Sequence, residues 1–246
     1  MTENVVSILL LWESNKRSAQ VFFNSLADFF LPRLCPACKN KLNTSEQFIC
    51  DNCLSKLKFT SPYQMHSEYD RKFADDKLIS DFHSLFIFEK DKEFQSVAHE
   101  LKYNGKFKIG FFLGKLIALH LKEIIQEWNA DLIIPVPLHS LKKAERGYNQ
   151  SYFIAKGIKS VLSIAVSDKI VRRRRFTESQ TKMNLVERKE NIMGAFVVVD
   201  KNKVAGKRII LLDDVITTGA TITECGRVLL ESGAEKIFAL SAAIAE

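Results

Sequence analysis

Two adjacent carboxylates lie two residues before a run of small, mostly hydroxylated residues near the end of the sequence. The carboxylates, Asp213 and Asp214, follow the apolar run 209–212. The small residues after them are Thr217, Thr218, Gly219, Ala220 and Thr221, where an amphipathic helical pattern begins. A buried strand, a polar loop and a helix start form a cradle for an anion, because backbone N–H groups and hydroxyls converge there. Carboxylates beside such a cradle accept hydrogen bonds from sugar hydroxyls, which indicates a ribose phosphate as the ligand.

The same stretch resembles the phosphoribosyl-pyrophosphate (PRPP) signature of type I phosphoribosyltransferases, in which an apolar strand precedes Asp-Asp and Thr-Thr-Gly-x-Thr. The resemblance implies that Asp213 and Asp214 bind the ribose hydroxyls of PRPP. It also implies that residues 217–221 wrap the 5′-phosphate. The alternative is an ordinary strand–turn–helix unit in which a threonine caps the helix.

Four of the five cysteines form two C-x-x-C pairs, separated by residues 39–49. They are Cys35, Cys38, Cys50 and Cys53. Two such pairs supply the four thiolates that close a tetrahedron around zinc. Because four protein ligands saturate the metal, this zinc is expected to be structural. A pair of disulfides is the alternative, and a cytosolic location argues against it.

Composition places the chain among globular proteins with anionic partners. Of the 246 residues, 46% are hydrophobic, and 36 Lys and Arg against 29 Asp and Glu give a formal net charge of +7. This excess of positive charge favours phosphates or nucleic acid as partners without proving either.

No apolar run reaches the roughly 18 residues that span a bilayer, so we expect no membrane insertion. The short apolar run 5–12 follows Glu3 and lacks a basic leader, so we expect either a helix start or a ragged start upstream of the fold, and not a signal peptide. We therefore expect a cytoplasmic protein.

The pattern along the chain predicts four zones. They are an N-terminal helical segment at 1–31 with its helix at 16–31, a four-cysteine zinc module at 32–59, a linker at 60–77, and an α/β domain at 78–246. In the last zone the strand predictions are 85–88, 131–135, 196–199 and the run before Asp213. The helix predictions are 92–103, 109–127, 147–162 and the segment after Gly219. Alternating strands and helices indicate a parallel sheet, whose ligands bind outside the carboxyl ends of the strands.

Two further motifs complete a wider resemblance. The first is Ile-Pro-Val-Pro-Leu-His at 134–139 followed by Arg-Gly-Tyr-Asn-Gln at 146–150, and the second begins with Arg-Arg-Arg-Phe-Thr at 173–177. With the cysteine pairs, the segment His-Glu-Leu-Lys-Tyr-Asn-Gly at 99–105 and the Asp-Asp loop, the set resembles the ComF family of competence-associated, phosphoribosyltransferase-like proteins. The similarity runs from about Phe29 to the C-terminal end.

The ComF resemblance implies a type I phosphoribosyltransferase-like fold, with a central and mainly parallel sheet, behind a small zinc module. It implies that Pro135, Val136 and Pro137 form the loop that faces pyrophosphate, and Arg146 is the side chain we expect to bind it. Residues 172–190 would form a mobile segment able to cover the site. The family is linked to DNA uptake in natural transformation, and its members are thought to handle single-stranded DNA in the cytoplasm. Other DNA-uptake proteins are then possible partners.

The basic run contains Arg172, Arg173, Arg174 and Arg175. On a strand, alternate arginines face opposite sides, so two could face the ligand cleft and two could face solvent or a nucleic-acid strand. A solvated run of charge is the alternative.

Three functions stay open at this stage. The first is a DNA-uptake factor with a PRPP-type pocket, and the second is a phosphoribosyltransferase that uses PRPP with Mg²⁺. The third is a PRPP-sensing regulator without catalysis. Because the sequence shows no recognisable pocket for an acceptor base, no catalytic residue is assigned and catalysis ranks second.

Overall fold

The computed structural model describes residues 32–175 and 191–245. The chain forms two compact units, divided between Lys58 and Phe59. The helix predicted at 16–31 lies outside the described residues. So do residues 176–190, which form most of the covering segment predicted at 172–190.

The described part of the first unit is a small module with little regular structure. Its backbone pairs at one antiparallel bridge between Leu34 and Lys41, and its helix, α1 (Asp51–Leu54), is a single turn. Besides cysteines, only a few apolar side chains are buried: Leu42, Ile49 and Leu57. So little apolar burial stabilises a fold of this size poorly, and such modules usually need a metal or disulfides.

The second unit is built on a five-stranded sheet in the order β1-β7-β6-β2-β3, with every neighbouring pair parallel. Its strands are β1 (Asp81–Phe88), β2 (Leu132–Pro135), β3 (Ala165–Val166), β6 (Arg208–Ile216) and β7 (Lys236–Ala245). The strands β4 (Val171–Arg173) and β5 (Phe196–Val198) form a separate antiparallel pair. The central strands are nearly continuous apolar runs, because helices cover both faces of a parallel sheet.

The helices of the second unit alternate with these strands. They are α2 (Pro62–Lys72), α3 (Glu93–Tyr103), α4 (Phe107–His120), α5 (Lys122–Glu127), α6 (Ser140–Arg146), α7 (Gln150–Leu162) and α8 (Ala220–Glu231). The predicted fold class is confirmed: a parallel α/β sheet of the phosphoribosyltransferase type follows a four-cysteine module. Within the described ranges, every helix is too short or too polar to cross a lipid bilayer.

The linker predicted at 60–77 is wrong over most of its length, since Pro62–Lys72 forms the helix α2. Ser61 accepts a hydrogen bond from the Gln64 backbone and the Gln64 side chain bonds back, which is a capping box with proline at the first helical position. Met65 is buried on the inner face of α2, and Phe73, just after it, is also in the core. The polar composition that suggested a linker belongs to the outer face of this helix.

Two further predictions were wrong in their boundaries. The single helix predicted at 109–127 is interrupted at Leu121, where α4 ends and α5 begins. The helix predicted from 147 begins at Gln150, because Gly147 adopts φ 78° and ends the preceding helix α6. A left-handed residue after the last turn is a common helix C-terminus, and glycine adopts it without steric cost.

The helices α4 and α7 pack against each other through two glycines. A Cβ atom at Gly114 would collide with the backbone of Ile154, and one at Gly157 would collide with the backbone of Phe111. The start of α7 lies at the carboxyl end of β2, where Asn149 Nδ2 donates a hydrogen bond to the Val136 carbonyl. The functional side chains at the start of α7 are therefore placed by this packing.

Candidate functional site

The predicted Asp-Asp loop lies at the carboxyl end of the central strand β6. Asp213 and residues 215–222 line one pocket, which contains all five predicted phosphate-loop residues. The loop ends at Gly219, which caps α8 with φ 80°. The sequence therefore placed this part of the site correctly as strand, loop and helix start. Its role in binding stays a prediction.

Gly219 is required by contact as well as by conformation. A Cβ atom at this position would lie 2.8 Å from Cε1 of the Phe73 ring. Phe73 directly follows α2, the helix that replaces the expected linker. Any larger residue at 219 would therefore displace either the loop or the ring beneath it.

The buried side chain of Lys72 contacts the same loop. Its side chain is only 4% exposed, and its ammonium lies 2.9 Å from Glu68 Oε2. The ammonium donates hydrogen bonds to the carbonyl oxygens of Thr217 and, at 3.0 Å, Ala245. A buried cation thus joins α2, the phosphate loop and the end of β7, and it fixes the direction of the Thr217 carbonyl.

The two carboxylates of the site differ in their surroundings. Burial and the adjacent Asp214 raise the pKa of Asp213 to about 7. Burial would also raise the pKa of Asp214, but the Lys102 ammonium, 2.7 Å from Asp214 Oδ2, holds it below its ordinary value. Ser151 Oγ donates a hydrogen bond of 3.1 Å to Asp213 Oδ1. Near pH 7 the pair therefore combines a fixed anion with a carboxyl group that can gain or lose a proton.

The predicted pyrophosphate loop lies on the neighbouring strand. Pro135 pairs with Leu212, and the Val136 N–H donates to the Leu212 carbonyl at 2.9 Å. Asn149 Nδ2 donates to the Val136 carbonyl at 2.8 Å, so it orients the loop as its position suggested. Pro137 follows directly. The loop and the diacid therefore meet at one edge of the sheet.

Arg146 approaches the diacid from the end of α6. Its Nη1 donates to Gln150 Oε1 at 3.1 Å, and its guanidinium lies 5.4 Å from the centre of the Tyr103 ring. Burial lowers the pKa of the neighbouring Lys142, and the charges of Arg173 and Arg146 lower it further. Cations from three segments therefore lie close to the two carboxylates: Lys102 on α3, Arg146 at the end of α6 and Arg173 on β4. A polyanionic ligand would relieve their mutual repulsion.

The four consecutive arginines have different environments. Arg173 is half-buried on strand β4, 5.4 Å from the centre of the Phe196 ring, whereas Arg172 and Arg174 are exposed. Arg175 donates hydrogen bonds of 2.8 Å to the carbonyls of Asn191 and Met193. Arg175 is exposed as well, so exposure alternates from 172 to 174 and the alternation ends there. The arginines open to solvent are Arg172, Arg174 and Arg175.

The four cysteines of the first unit come together as predicted. Their Sγ atoms all lie within 4.8 Å of one another, and the Sγ atoms of Cys38 and Cys50 are 3.6 Å apart. All four are free thiols. Zinc–sulfur bonds of about 2.3 Å in a tetrahedron place sulfurs about 3.8 Å apart, so the cluster fits a metal such as zinc. Four thiolates leave no open coordination position.

Sequence reasoning missed three side chains of the site: Lys72, Lys102 and Ser151. Lys102 lies within the 99–105 segment that was noticed only as a resemblance, and Ser151 directly follows the 146–150 motif. Lys102 therefore lay inside a recognised segment, and Ser151 lay next to one. Lys72 had no comparable signal beyond the capping box at the start of its helix.

Residues 114–243 match the family described as phosphoribosyl transferase domain. This match covers more than half of the chain and contains the diacid, the loop and the pyrophosphate-loop motif. The chain belongs to the phosphoribosyl transferase domain family.

Several named relatives agree with the ComF resemblance. Competence protein F of Haemophilus influenzae is 27% identical over 82% of this chain and 93% of its own length. The DNA utilization protein YhgH of Shigella flexneri is 31% identical over 56% of this chain and 62% of its own. Competence protein ComFC of Bacillus subtilis is 24% identical over 82% of this chain and 79% of its own. The protein is thus a ComF-family, phosphoribosyltransferase-like protein. The matched region spans under two thirds of the length of the YhgH relative.

Replacing Lys72 with methionine is expected to weaken PRPP binding about tenfold or more. Methionine fills the same space but leaves the Thr217 and Ala245 carbonyls without their donor and Glu68 with Arg71 alone. Losing one partner of a buried pair also lowers the free energy of unfolding, by about 3–5 kcal/mol. Calorimetric titration with PRPP and urea unfolding measure the two effects.

The matched control for this substitution is Lys201→Met, because Lys201 is exposed and distant in sequence from the loop. The double variant Glu68→Gln/Lys72→Met removes the unpaired charge and should recover part of the stability but not the PRPP affinity. Full PRPP affinity in the double variant would contradict the role of Lys72 in positioning the loop.

Proposed function

We propose that this protein binds PRPP, or a related ribose phosphate, at the Asp-Asp loop and that it handles single-stranded DNA during DNA uptake. The observation that carries the first part is the diacid beside the phosphate loop. Asp213 and Asp214 accept hydrogen bonds from the ribose hydroxyls, and residues 217–221 surround the 5′-phosphate. The cations around them balance the diphosphate.

The proposed Mg²⁺ ion accompanies the diphosphate of PRPP. Carboxylate oxygens such as those of Asp213 are donors that Mg²⁺ accepts, so the residues present fit a Mg²⁺–PRPP ligand. When bound, Mg²⁺ would neutralise part of the diphosphate charge. Arg146 and Lys102 would act on the same charge from the protein side.

Support for the DNA part comes from charge and from the relatives. Two relatives carry competence in their names and a third DNA utilization. The exposed pair Arg172 and Arg174 and the net charge of +7 suit a polyanion. The four-cysteine module, with structural zinc, is a second candidate contact with DNA. This role places the protein in the cytoplasm, where other DNA-uptake proteins are candidate partners.

Titration of the zinc-loaded protein with fluorescent single-stranded DNA, with and without PRPP and Mg²⁺, tests this proposal. We expect micromolar or tighter binding whose affinity changes when PRPP is added, and which weakens steeply with salt. Arg172→Gln/Arg174→Gln should reduce the salt dependence. Absence of DNA binding in a protein that PRPP still stabilises against heat would contradict the DNA role alone.

A phosphoribosyltransferase is the second candidate, favoured by the charges of Lys102 and Arg146 beside the diacid. In this reaction a base nitrogen attacks the anomeric carbon of PRPP, and the C–O bond to pyrophosphate breaks with its electron pair on the leaving oxygen. Lys102 and Arg146 would stabilise the charge that develops there. Release of pyrophosphate in the presence of a set of purine and pyrimidine bases distinguishes this candidate from a PRPP sensor without catalysis.

A further inference from the structure

A row of aromatic side chains begins beside the diacid and continues over the outer surface of α3, α4 and α7. We call it the aromatic track, and its members are Tyr103, Phe107, Tyr148, Tyr152 and Phe153. Ring centres lie 4.7 Å apart for Phe107 and Phe153, 5.4 Å for Tyr148 and Phe153, and 5.7 Å for Tyr152 and Phe153. The rings of Phe107, Tyr148, Tyr152 and Phe153 therefore form a connected set, while Tyr103 lies at the end of α3 beside the Arg146 guanidinium.

The track remains open to solvent although it is apolar. Tyr103 is 52% exposed and Phe107 is 41% exposed, whereas Tyr148, Tyr152 and Phe153 are half-buried. The Tyr148 hydroxyl donates to the Leu101 carbonyl, so this ring is anchored. An exposed row of fixed rings is a surface on which flat ligands can stack.

Positive charge accompanies the track along its length. The Arg146 guanidinium lies 5.4 Å from the centre of the Tyr103 ring, and the Lys156 ammonium lies 5.7 Å from the Tyr152 ring. The helices α4 and α7, which carry most of the rings, contain several lysines and no aspartate or glutamate. Rings with cations between them, and no acidic residues on those two helices, complement a chain of bases joined by phosphates.

The inner end of the track reaches the proposed ribose-phosphate site. Tyr103 directly follows Lys102, whose ammonium lies 2.7 Å from Asp214 Oδ2. The Arg146 guanidinium lies over the Tyr103 ring. Burial raises the pKa of Asp214 and Lys102 lowers it, and the charge of Arg146 lowers it by a smaller amount. A strand lying on the track would therefore end next to the PRPP pocket.

We propose that the aromatic track is the surface on which single-stranded DNA lies, with its bases stacked on Tyr103 and Phe107 and its phosphates beside Lys156 and Arg146. This inference rests on the proposed DNA role and adds a second surface, which holds the bases, to the Arg172–Arg175 run. Duplex DNA does not fit, because its bases are already stacked inside the helix. The proximity of the track to the diacid gives a direct route by which PRPP changes DNA affinity.

The test compares Phe107→Leu and Tyr103→Leu with the wild type in fluorescence anisotropy. The probes are an oligo(dT) strand and an abasic strand of the same length, each measured over a range of salt. We expect each substitution to weaken oligo(dT) binding about fivefold or more, since stacking on one aromatic ring contributes that much. The salt slope should stay unchanged, because no charge is removed. Wild-type protein should bind the abasic strand more weakly than oligo(dT).

Tyr63→Leu is the matched control, because Tyr63 is 82% exposed on α2 and lies outside the track. It should bind both strands as the wild type does. Failure of the wild type to bind either strand would contradict the DNA role itself. Wild-type binding that both track substitutions leave unchanged would overturn the track alone, as would equal affinity for the two strands. A change of oligomeric state in the track variants would instead identify the surface as a contact between copies of the chain.

Discussion

Replacing Asp213 with asparagine is expected to weaken PRPP binding about ten- to a hundredfold, the effect of losing a hydrogen bond to a charged group. In the proposed complex the carboxylate of Asp213 accepts a hydrogen bond from a ribose hydroxyl, and asparagine keeps the shape of the side chain but not its charge. Calorimetric titration with PRPP and Mg²⁺ at pH 8 measures the loss. Asp200→Asn is the control, since Asp200 is an equally charged group paired with Lys203 away from the pocket.

The substitution Asp213→Asn is also expected to remove the pH dependence of the affinity for PRPP. The pKa of Asp213 is raised to about 7 in the free protein by burial and by Asp214, so below pH 7 this carboxyl group holds a proton. Because the ligand hydroxyl favours the anion, binding releases that proton. Affinity in the wild type should therefore rise with pH up to about 7 and level off above it, changing up to about tenfold per unit below.

The charged and titratable groups near the Asp213–Asp214 pair are Lys102, Arg146, Arg173 and Cys225. Lys102 and Arg173 are cationic throughout this range, and burial raises the pKa of the Cys225 thiol well above it. The difference between wild type and Asp213→Asn, measured with the same ligand, isolates the carboxyl group from the titration of PRPP itself. Parallel pH profiles for the two proteins would show that Asp213 does not contact the ligand.

Replacing Cys53 with serine is expected to abolish zinc binding and to unfold the module at 32–58. Cys53 is 2% exposed and lies in the cluster of four thiols. A structural zinc site contributes about 10–16 kcal/mol in small zinc modules, which the few buried apolar side chains of this unit cannot replace. Zinc content by mass spectrometry and limited proteolysis measure the two effects.

Cys225→Ala is the control for zinc content, because Cys225 is buried in the second unit and lies outside the cluster. The second unit should stay folded when zinc is lost, since it has its own core on both faces of the sheet. PRPP should then still raise its thermal stability. A Cys53→Ser protein that keeps one equivalent of zinc and resists proteolysis would refute a four-cysteine metal site.

The sequence determined the parts of the site that are local in the chain. The run from Arg208 to Thr221 specifies strand, loop and helix within one short segment, and the C-x-x-C pairs specify their own spacing. Buried strands of a parallel sheet can also be predicted from the sequence, because both of their faces are apolar. The α/β class and the family resemblance were therefore predicted correctly.

The tertiary structure alone decided which side chains support that loop. Lys72 bonds to Thr217, which is 145 positions away in the sequence, and Lys102 pairs with Asp214 across more than a hundred positions. No periodicity or spacing reports such contacts, since they depend on how the helices pack on the sheet. The helix α2 was missed for a related reason: most of its side chains face solvent, and its few buried ones gain their role only from the core they touch.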